Sequence, residues 1–130
     1  MKETILIVED NPLNLELATD LLEAAGFAVA QAYTGEDGVR LAGKLKPALV
    51  LMDLSLPGMD GLSAVQWLKA DPATKHLSII ALTAHAMRGD DEAAIRAGCD
   101  GYISKPIDTR SFPSQIRDFI MARSLCKPKP

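Results

Sequence analysis

Short apolar runs spaced 20 to 45 residues apart constrain this chain most. Ile5-Leu6-Ile7-Val8, Leu49-Val50-Leu51-Met52 and Ser78-Ile79-Ile80-Ala81-Leu82 are too brief for free-standing helices and carry almost no polar alternation. Continuous apolar stretches of this length suit strands buried on both faces of a parallel sheet, although periodicity alone also fits a buried helix segment. The residues after each run favour strands. Val8 is succeeded by Glu9-Asp10-Asn11-Pro12, where Asp10 or Asn11 can cap a helix that begins at a proline. After Met52 comes Asp53, then the loop signals Pro57-Gly58 and Asp60-Gly61. Each strand therefore hands over to a loop and a helix, and Asp53 falls at the carboxyl edge of the sheet, where open α/β folds bind their ligands.

The rest of the chain continues the alternation. Leu13, Leu17, Leu21 and Ala24 or Ala25 recur at helical spacing up to Gly26, a glycine suited to ending a helix. Phe27 to Tyr33 reads as a second strand, and Thr34 opens T-G-E-D, a capping-box variant ahead of a helix through Leu45 that Pro47 stops. Leu62, Val65, Trp67 and Leu68 form a short amphipathic helix closed by Asp71-Pro72, with Trp67 on its apolar side. A further helix is expected from Gly89 to Ala97, a fifth strand at Tyr102-Ile103-Ser104, and a last helix from Gln115 to Arg123. Pro113 would break that helix if Asp108 capped it, so Ser111 is the expected cap, leaving the proline in the first turn. Five strands with intervening helices imply right-handed crossovers and a sheet covered on both faces.

Size and composition narrow the function. At 130 residues there is room for one domain, assigned to residues 1–124 with a short Lys/Pro tail over 125–130. A formal net charge of −3 without a basic cluster argues against direct nucleic-acid binding. No stretch reaches the roughly 20 apolar residues of a membrane helix, and Met1-Lys2-Glu3 leads into a strand without signal-peptide organisation, so a cytoplasmic protein that does not engage membranes is expected. Cys99 and Cys126 fit neither a zinc pattern nor a disulfide framework, and His76 and His85 form no ligand pair at helical spacing.

The strand ends carry the chemistry: Glu9 and Asp10 after the first, Asp53 after the third, Thr83 after the fourth, Lys105 after the fifth. In a parallel sheet all of them fall on one edge. Three clustered carboxylates repel one another and call for a cation, and hard oxygen ligands favour Mg2+, which works beside phosphate oxygens. A lysine and a hydroxyl nearby supply what the peripheral oxygens of a phosphoryl group need. Each residue alone has an ordinary explanation. Asp53, Glu9-Asp10 or Thr83 could be turn formers or helix caps, Lys105 a solvated charge, and Tyr102 sheet packing.

In combination these residues resemble the receiver domain of bacterial response regulators, from about Ile5 to Ala122. The motifs are V-E-D-N at Val8 to Asn11, M-D-L-S-L-P-G-M-D-G from Met52 to Gly61, L-T-A at Leu82 to Ala84, and K-P at Lys105-Pro106, separated by 43 residues from Asp10 to Asp53, 30 to Thr83 and 22 to Lys105. The resemblance implies a flavodoxin-like, CheY-like (βα)5 doubly wound sandwich with strand order 2-1-3-4-5. It implies that Asp53 is phosphorylated by a histidine kinase or histidine phosphotransfer protein, switching the binding of a downstream protein partner, with slow autodephosphorylation. It further implies that Mg2+ is held by Asp10, Asp53 and the Ser55 backbone carbonyl, with Glu9 acting through water. Lys105, Thr83 and the Ala84 backbone would engage the phosphoryl group, Tyr102 would be a switch residue, and a cis peptide before Pro106 would aim Lys105.

The start V-E-D-N-x-x-N is similar to receivers of hybrid kinases and of single-domain cell-cycle and phosphorelay regulators. Met1 and the short tail favour a complete single-domain regulator over a module cut from a hybrid kinase or larger regulator. A Mg2+-dependent aspartyl-phosphate phosphohydrolase is the enzymatic alternative. It would want a second aspartate two places after the nucleophile, where this chain has Ser55.

Overall fold

The computed structural model describes residues 3–54, 61–83, 95–104 and 107–125. Five strands form one parallel sheet in the order β2-β1-β3-β4-β5. They are β1 (Thr4–Val8), β2 (Ala28–Ala32), β3 (Leu49–Asp53), β4 (Ser78–Thr83) and β5 (Gly101–Ser104), joined with helices α1 (Pro12–Ala24), α2 (Gly35–Leu45), α3 (Gly61–Ala70) and α4 (Phe112–Leu125). The flavodoxin-like, doubly wound expectation therefore holds. Of the helix expected from Gly89 to Ala97, residues 95–97 are helical and 89–94 lie outside the described residues.

The sheet's two faces explain why its strands show no polar alternation. Leu6 and Val8 of β1, Val50 and Met52 of β3, and Ile79 and Ala81 of β4 share a core with Ala42 of α2 and Ala64, Val65 and Leu68 of α3. Ile5, Ile7, Leu49, Leu51, Ile80 and Leu82 share the opposite core with Leu15, Ala18 and Leu22 of α1 and Phe112 and Ile116 of α4. Successive strand residues point to opposite faces, so a sheet with helices on both must be apolar at every position. That settles strand against buried helix for these runs.

The helix ends follow local chemistry. Asn11 caps α1, its side chain accepting from the N–H groups of Leu13 and Asn14, with Pro12 in the first turn. Thr34 caps α2 by accepting from Asp37 N–H. Past Leu45 the chain turns at Lys46, whose φ of 49° is left-handed, and the Lys46 ammonium donates to the Ala73 carbonyl at 2.6 Å. In α4 the Gln115 N–H donates to the Ser111 carbonyl at 2.9 Å, so the helix starts at Phe112 with Pro113 in the first turn, as its ring requires. The helix runs on to Leu125, two residues past the expected Arg123.

Two expected faces are corrected. In α1 the buried stripe is Leu15, Ala18 and Leu22, while Leu13 and Leu17 are 76% and 39% exposed. Apolar residues cover more than half the circumference of this helix, so more than one stripe exists at helical spacing; the one containing the small Ala18 is pressed to the sheet. Trp67 is 59% exposed, because α3 seats Ala64, Val65 and Leu68 against the strands and turns the indole outward. The second strand is also shorter than Phe27 to Tyr33: Phe27 is buried just before it and Tyr33 is exposed just after it.

Candidate phosphoacceptor site

The site assembles at the carboxyl ends of the three central strands. The ladder between β1 and β2 runs one residue beyond Val8, the Glu9 N–H donating to the Ala32 carbonyl at 3.0 Å. This extra bond holds Glu9 in line with the sheet and buries its side chain to 2% exposure, while Asp10 next to it is exposed. One Glu9 carboxylate oxygen accepts from the Asn11 N–H at 3.2 Å. Asp53, the last residue of β3, is 1% exposed and stands opposite Leu82 in the register. The Leu54 N–H donates to the Leu82 carbonyl at 3.1 Å, so pairing continues past the aspartate and fixes its backbone.

Glu9, Asp10 and Asp53 each present a carboxylate oxygen within 4.8 Å of the other two. Residues 43 apart in the chain become neighbours because β1 and β3 pair directly, with Val8 opposite Met52. Two of the three carboxylates are buried. Ionised groups this close and this dry repel one another and call for a compensating cation. The donor set of carboxylate oxygens, open to solvent on the Asp10 side, suits a hard divalent ion that keeps part of its water shell.

Thr83 ends β4 one residue beyond the partner of Asp53; it is 1% exposed and pairs with Ser104. Its hydroxyl therefore belongs to the same sheet edge. Tyr102, opposite Ala81, lies on the outermost strand and is 41% exposed. Its ring lines a groove of about 300 Å3 with Ile103, Gln115, Asp118 and Phe119, so it is not packed away inside the sheet. Ser55, Ala84, Lys105 and Pro106 lie outside the described residues, as does His85.

A residue without chemistry of its own also shapes the site. Gly61, the first residue of α3, packs so closely on the end of β3 that a Cβ there would collide with the Asp53 carbonyl oxygen and come within 2.7 Å of Leu54 Cα. The helix thus begins directly against the backbone that carries Asp53. The Asp60-Gly61 pair marks only a turn when read as sequence; the close approach becomes visible once α3 is in place.

Known proteins agree with this geometry. Residues 5–117 match the response regulator receiver domain family. The polar-differentiation response regulator DivK of Brucella anthropi is 42% identical over 120 residues, covering 92% of this chain and 98% of its own. The receiver domain of a sensor histidine kinase from Pseudomonas aeruginosa, crystallised with magnesium coordinated in its active-site cleft, superposes with a TM-score of 0.86 at 34% identity, over 93% of this chain and 99% of that one. The signal receiver domain of a histidine kinase from Syntrophus aciditrophicus superposes with a TM-score of 0.84 at 29% identity, over 98% and 95% of the two chains. Acidic cluster, strand order and relatives converge: the chain belongs to the response regulator receiver domain family of two-component signalling.

Proposed function

We propose that Asp53 is the phosphoacceptor of this receiver and that its phosphorylation switches the binding of a protein partner. The carrying observation is the burial of Glu9 and Asp53 beside Asp10 at one sheet edge, an arrangement of negative charge that a divalent cation offsets. The residues fit Mg2+: Asp10 and Asp53 would hold it directly, Glu9 through water, and the Ser55 backbone carbonyl would complete the protein ligands. When bound, the ion neutralises charge on the phosphoryl oxygens and on the acceptor carboxylate.

The remaining work falls to the chain. An Asp53 carboxylate oxygen attacks phosphorus while the P–N bond to the donor imidazole breaks. The electron pair leaves with the imidazole nitrogen, and the phosphoryl group ends as an aspartyl phosphate. Such in-line transfer is loose, so catalysis is mainly positioning. The β3 backbone, clamped by the Leu54 bond to β4 and by Gly61 of α3, fixes the attacking oxygen. Lys105, aimed by a cis peptide before Pro106, would pair with one phosphoryl oxygen. The Thr83 hydroxyl and Ala84 N–H would engage the others. Slow hydrolysis by water at phosphorus would return Asp53 to its carboxylate and make the switch self-resetting.

A histidine kinase or histidine phosphotransfer protein supplies the phosphoryl group, and a protein partner reads the result. The unit is a receiver over residues 1–124 working in the cytoplasm. Among the described residues no helix is long and apolar enough to cross a membrane. Intact-mass spectrometry after incubation with Mg2+ and acetyl phosphate tests the assignment: the wild type gains one phosphoryl group, Asp53→Asn gains none, and chelation of the metal abolishes the gain. Equal labelling of the two proteins would remove Asp53 from its role.

A further inference from the structure

Asn11 carries two sets of bonds that meet at the acidic cluster. Its side-chain oxygen accepts from Leu13 N–H at 2.9 Å and Asn14 N–H at 3.2 Å, tying down the first turn of α1. Its own backbone N–H donates to a Glu9 carboxylate oxygen at 3.2 Å. The residue is held in extended geometry, φ −85° and ψ 115°, between a strand that has just ended and a helix that starts at Pro12. Glu9 is buried and cannot reorient through solvent. One oxygen of its carboxylate is thus held by a peptide whose own orientation depends on the helix cap.

The chemistry of the cap matters as well. Asn and Asp cap helices about equally well. The first turn of α1 contains no acidic residue, and the chain enters this helix directly from Glu9 and Asp10, so no charge within that turn offsets the positive end of the helix. An aspartate at position 11 would satisfy the same two N–H groups and add a fourth carboxylate beside three. Asparagine supplies the geometry without the charge.

We propose that Asn11 is a positioning residue of the metal and phosphoryl site: a neutral cap that aims Glu9 and keeps the local negative charge at three carboxylates. This rests on the Mg2+ reading of the site. Outer groups that orient metal-binding side chains typically change metal affinity by about 10- to 100-fold when removed. Because Glu9 acts through water, the lower end applies.

The test is Mg2+ titration by calorimetry at a temperature below the melting transition of every variant, together with thermal unfolding of the metal-free proteins and initial rates of acetyl phosphate labelling. Asn11→Ala is expected to weaken Mg2+ binding about tenfold and to lower the metal-free Tm. Asn11→Ser, which restores a cap without charge, is expected to recover both. Asn11→Asp is expected to hold the Tm, tighten Mg2+ by about threefold through the added charge and slow labelling by an anionic donor. Opposite movement of metal affinity and labelling rate in a fully stable variant is a signature that a purely structural cap would not give. If Asn11→Ala loses Tm but binds Mg2+ like the wild type, or Asn11→Asp leaves affinity and rate unchanged, Asn11 is a helix cap only. If the wild type itself binds no Mg2+, the metal reading fails first and this inference with it.

Discussion

Replacing Gly61 by alanine adds one methyl group where the three nearest atoms all belong to the backbone. The new Cβ would overlap the Asp53 carbonyl oxygen, approach Leu54 Cα to 2.7 Å and lie 2.9 Å from the Asp53 carbonyl carbon. None of these atoms can rotate away as a side-chain tip would. Either the first turn of α3 lifts off or the Asp53–Leu54 segment shifts in the sheet. Overpacking of this kind costs about 1–3 kcal/mol, and an unyielding backbone places it at about 2–3. For a domain of this size that corresponds to a fall in Tm of roughly 6–12 °C. Gly43 is the internal control. It lies within α2, where the nearest atom to an added Cβ is Thr74 Cγ2 at 4.0 Å, so alanine there should stabilise by about 0.5–1 kcal/mol through helix propensity alone. Scanning calorimetry of the two variants should therefore give shifts of opposite sign. Gly61→Ala should also label more slowly with acetyl phosphate at a temperature below its melting transition, because the displaced segment carries Asp53. A Gly61→Ala protein that melts within about 1 °C of the wild type and labels at the same rate would refute the claim that α3 is braced on the backbone of Asp53 and Leu54.

Other expectations concern groups away from the acid cluster. Burial, aided by the Asp100 carboxylate and opposed by Lys69, pushes the Cys99 thiol up to about 12. An unfolded thiol ionises near pH 8.5, so stability is full below that value and declines as pH rises toward 12; Cys99→Ala should flatten part of this decline in urea titrations between pH 8 and 11. Arg117 donates to the Ala25 carbonyl at 3.1 Å and lies 5.6 Å from the centre of the Phe27 ring, capping α1 from α4. Arg117→Ala should cost about 0.5–1.5 kcal/mol, read as a lower urea midpoint with unchanged slope. Thr83→Ala should still accept a phosphoryl group at Asp53 yet lose coupling to partner binding. With 1–3 kcal/mol of coupling, beryllofluoride should change wild-type partner affinity by about 5- to 150-fold and that of the variant far less, as measured by calorimetry.

Much of the fold is legible because the apolar runs admit few arrangements. Ile5 to Val8 and Leu49 to Met52 must be covered on both sides, and the helical segments between them are long enough to do so. The ends of α2 and α4 are legible too, since Thr34, Ser111 and Pro113 act within one turn of themselves. Which face of a helix meets the sheet is a different kind of question. In α1, leucines at 13, 15, 17, 21 and 22 support more than one stripe, and the choice is made by fit against β1 and α4, which no local pattern encodes. Trp67 fails for the same reason. Its place three residues after Ala64 allows burial, but the α3 surface against the sheet is already filled by Ala64, Val65 and Leu68.

The acidic cluster is legible for a reason specific to parallel sheets. When every strand runs the same way, the residue after each strand lands on the same edge, so Glu9, Asp10 and Asp53 need only the correct strand ends to become neighbours. The adjacency of β1 and β3 then brings them within 4.8 Å without any further specification. The devices that hold the cluster's shape are much harder to see in the chain. The Asn11 N–H to the Glu9 carboxylate, the Leu54 N–H to the Leu82 carbonyl and the contact of Gly61 with Asp53 each depend on a main-chain atom, whose position follows from how strands end and helices begin. The side chains that would bond the phosphoryl group are thus readable as residue types, while the rigidity that makes them effective resides in the backbone. Alanine substitutions at Gly61 and Asn11, neither of which carries charge, should therefore lower Mg2+ affinity and labelling rate more than removal of an exposed charge such as Glu36 or Asp37 in the first turn of α2.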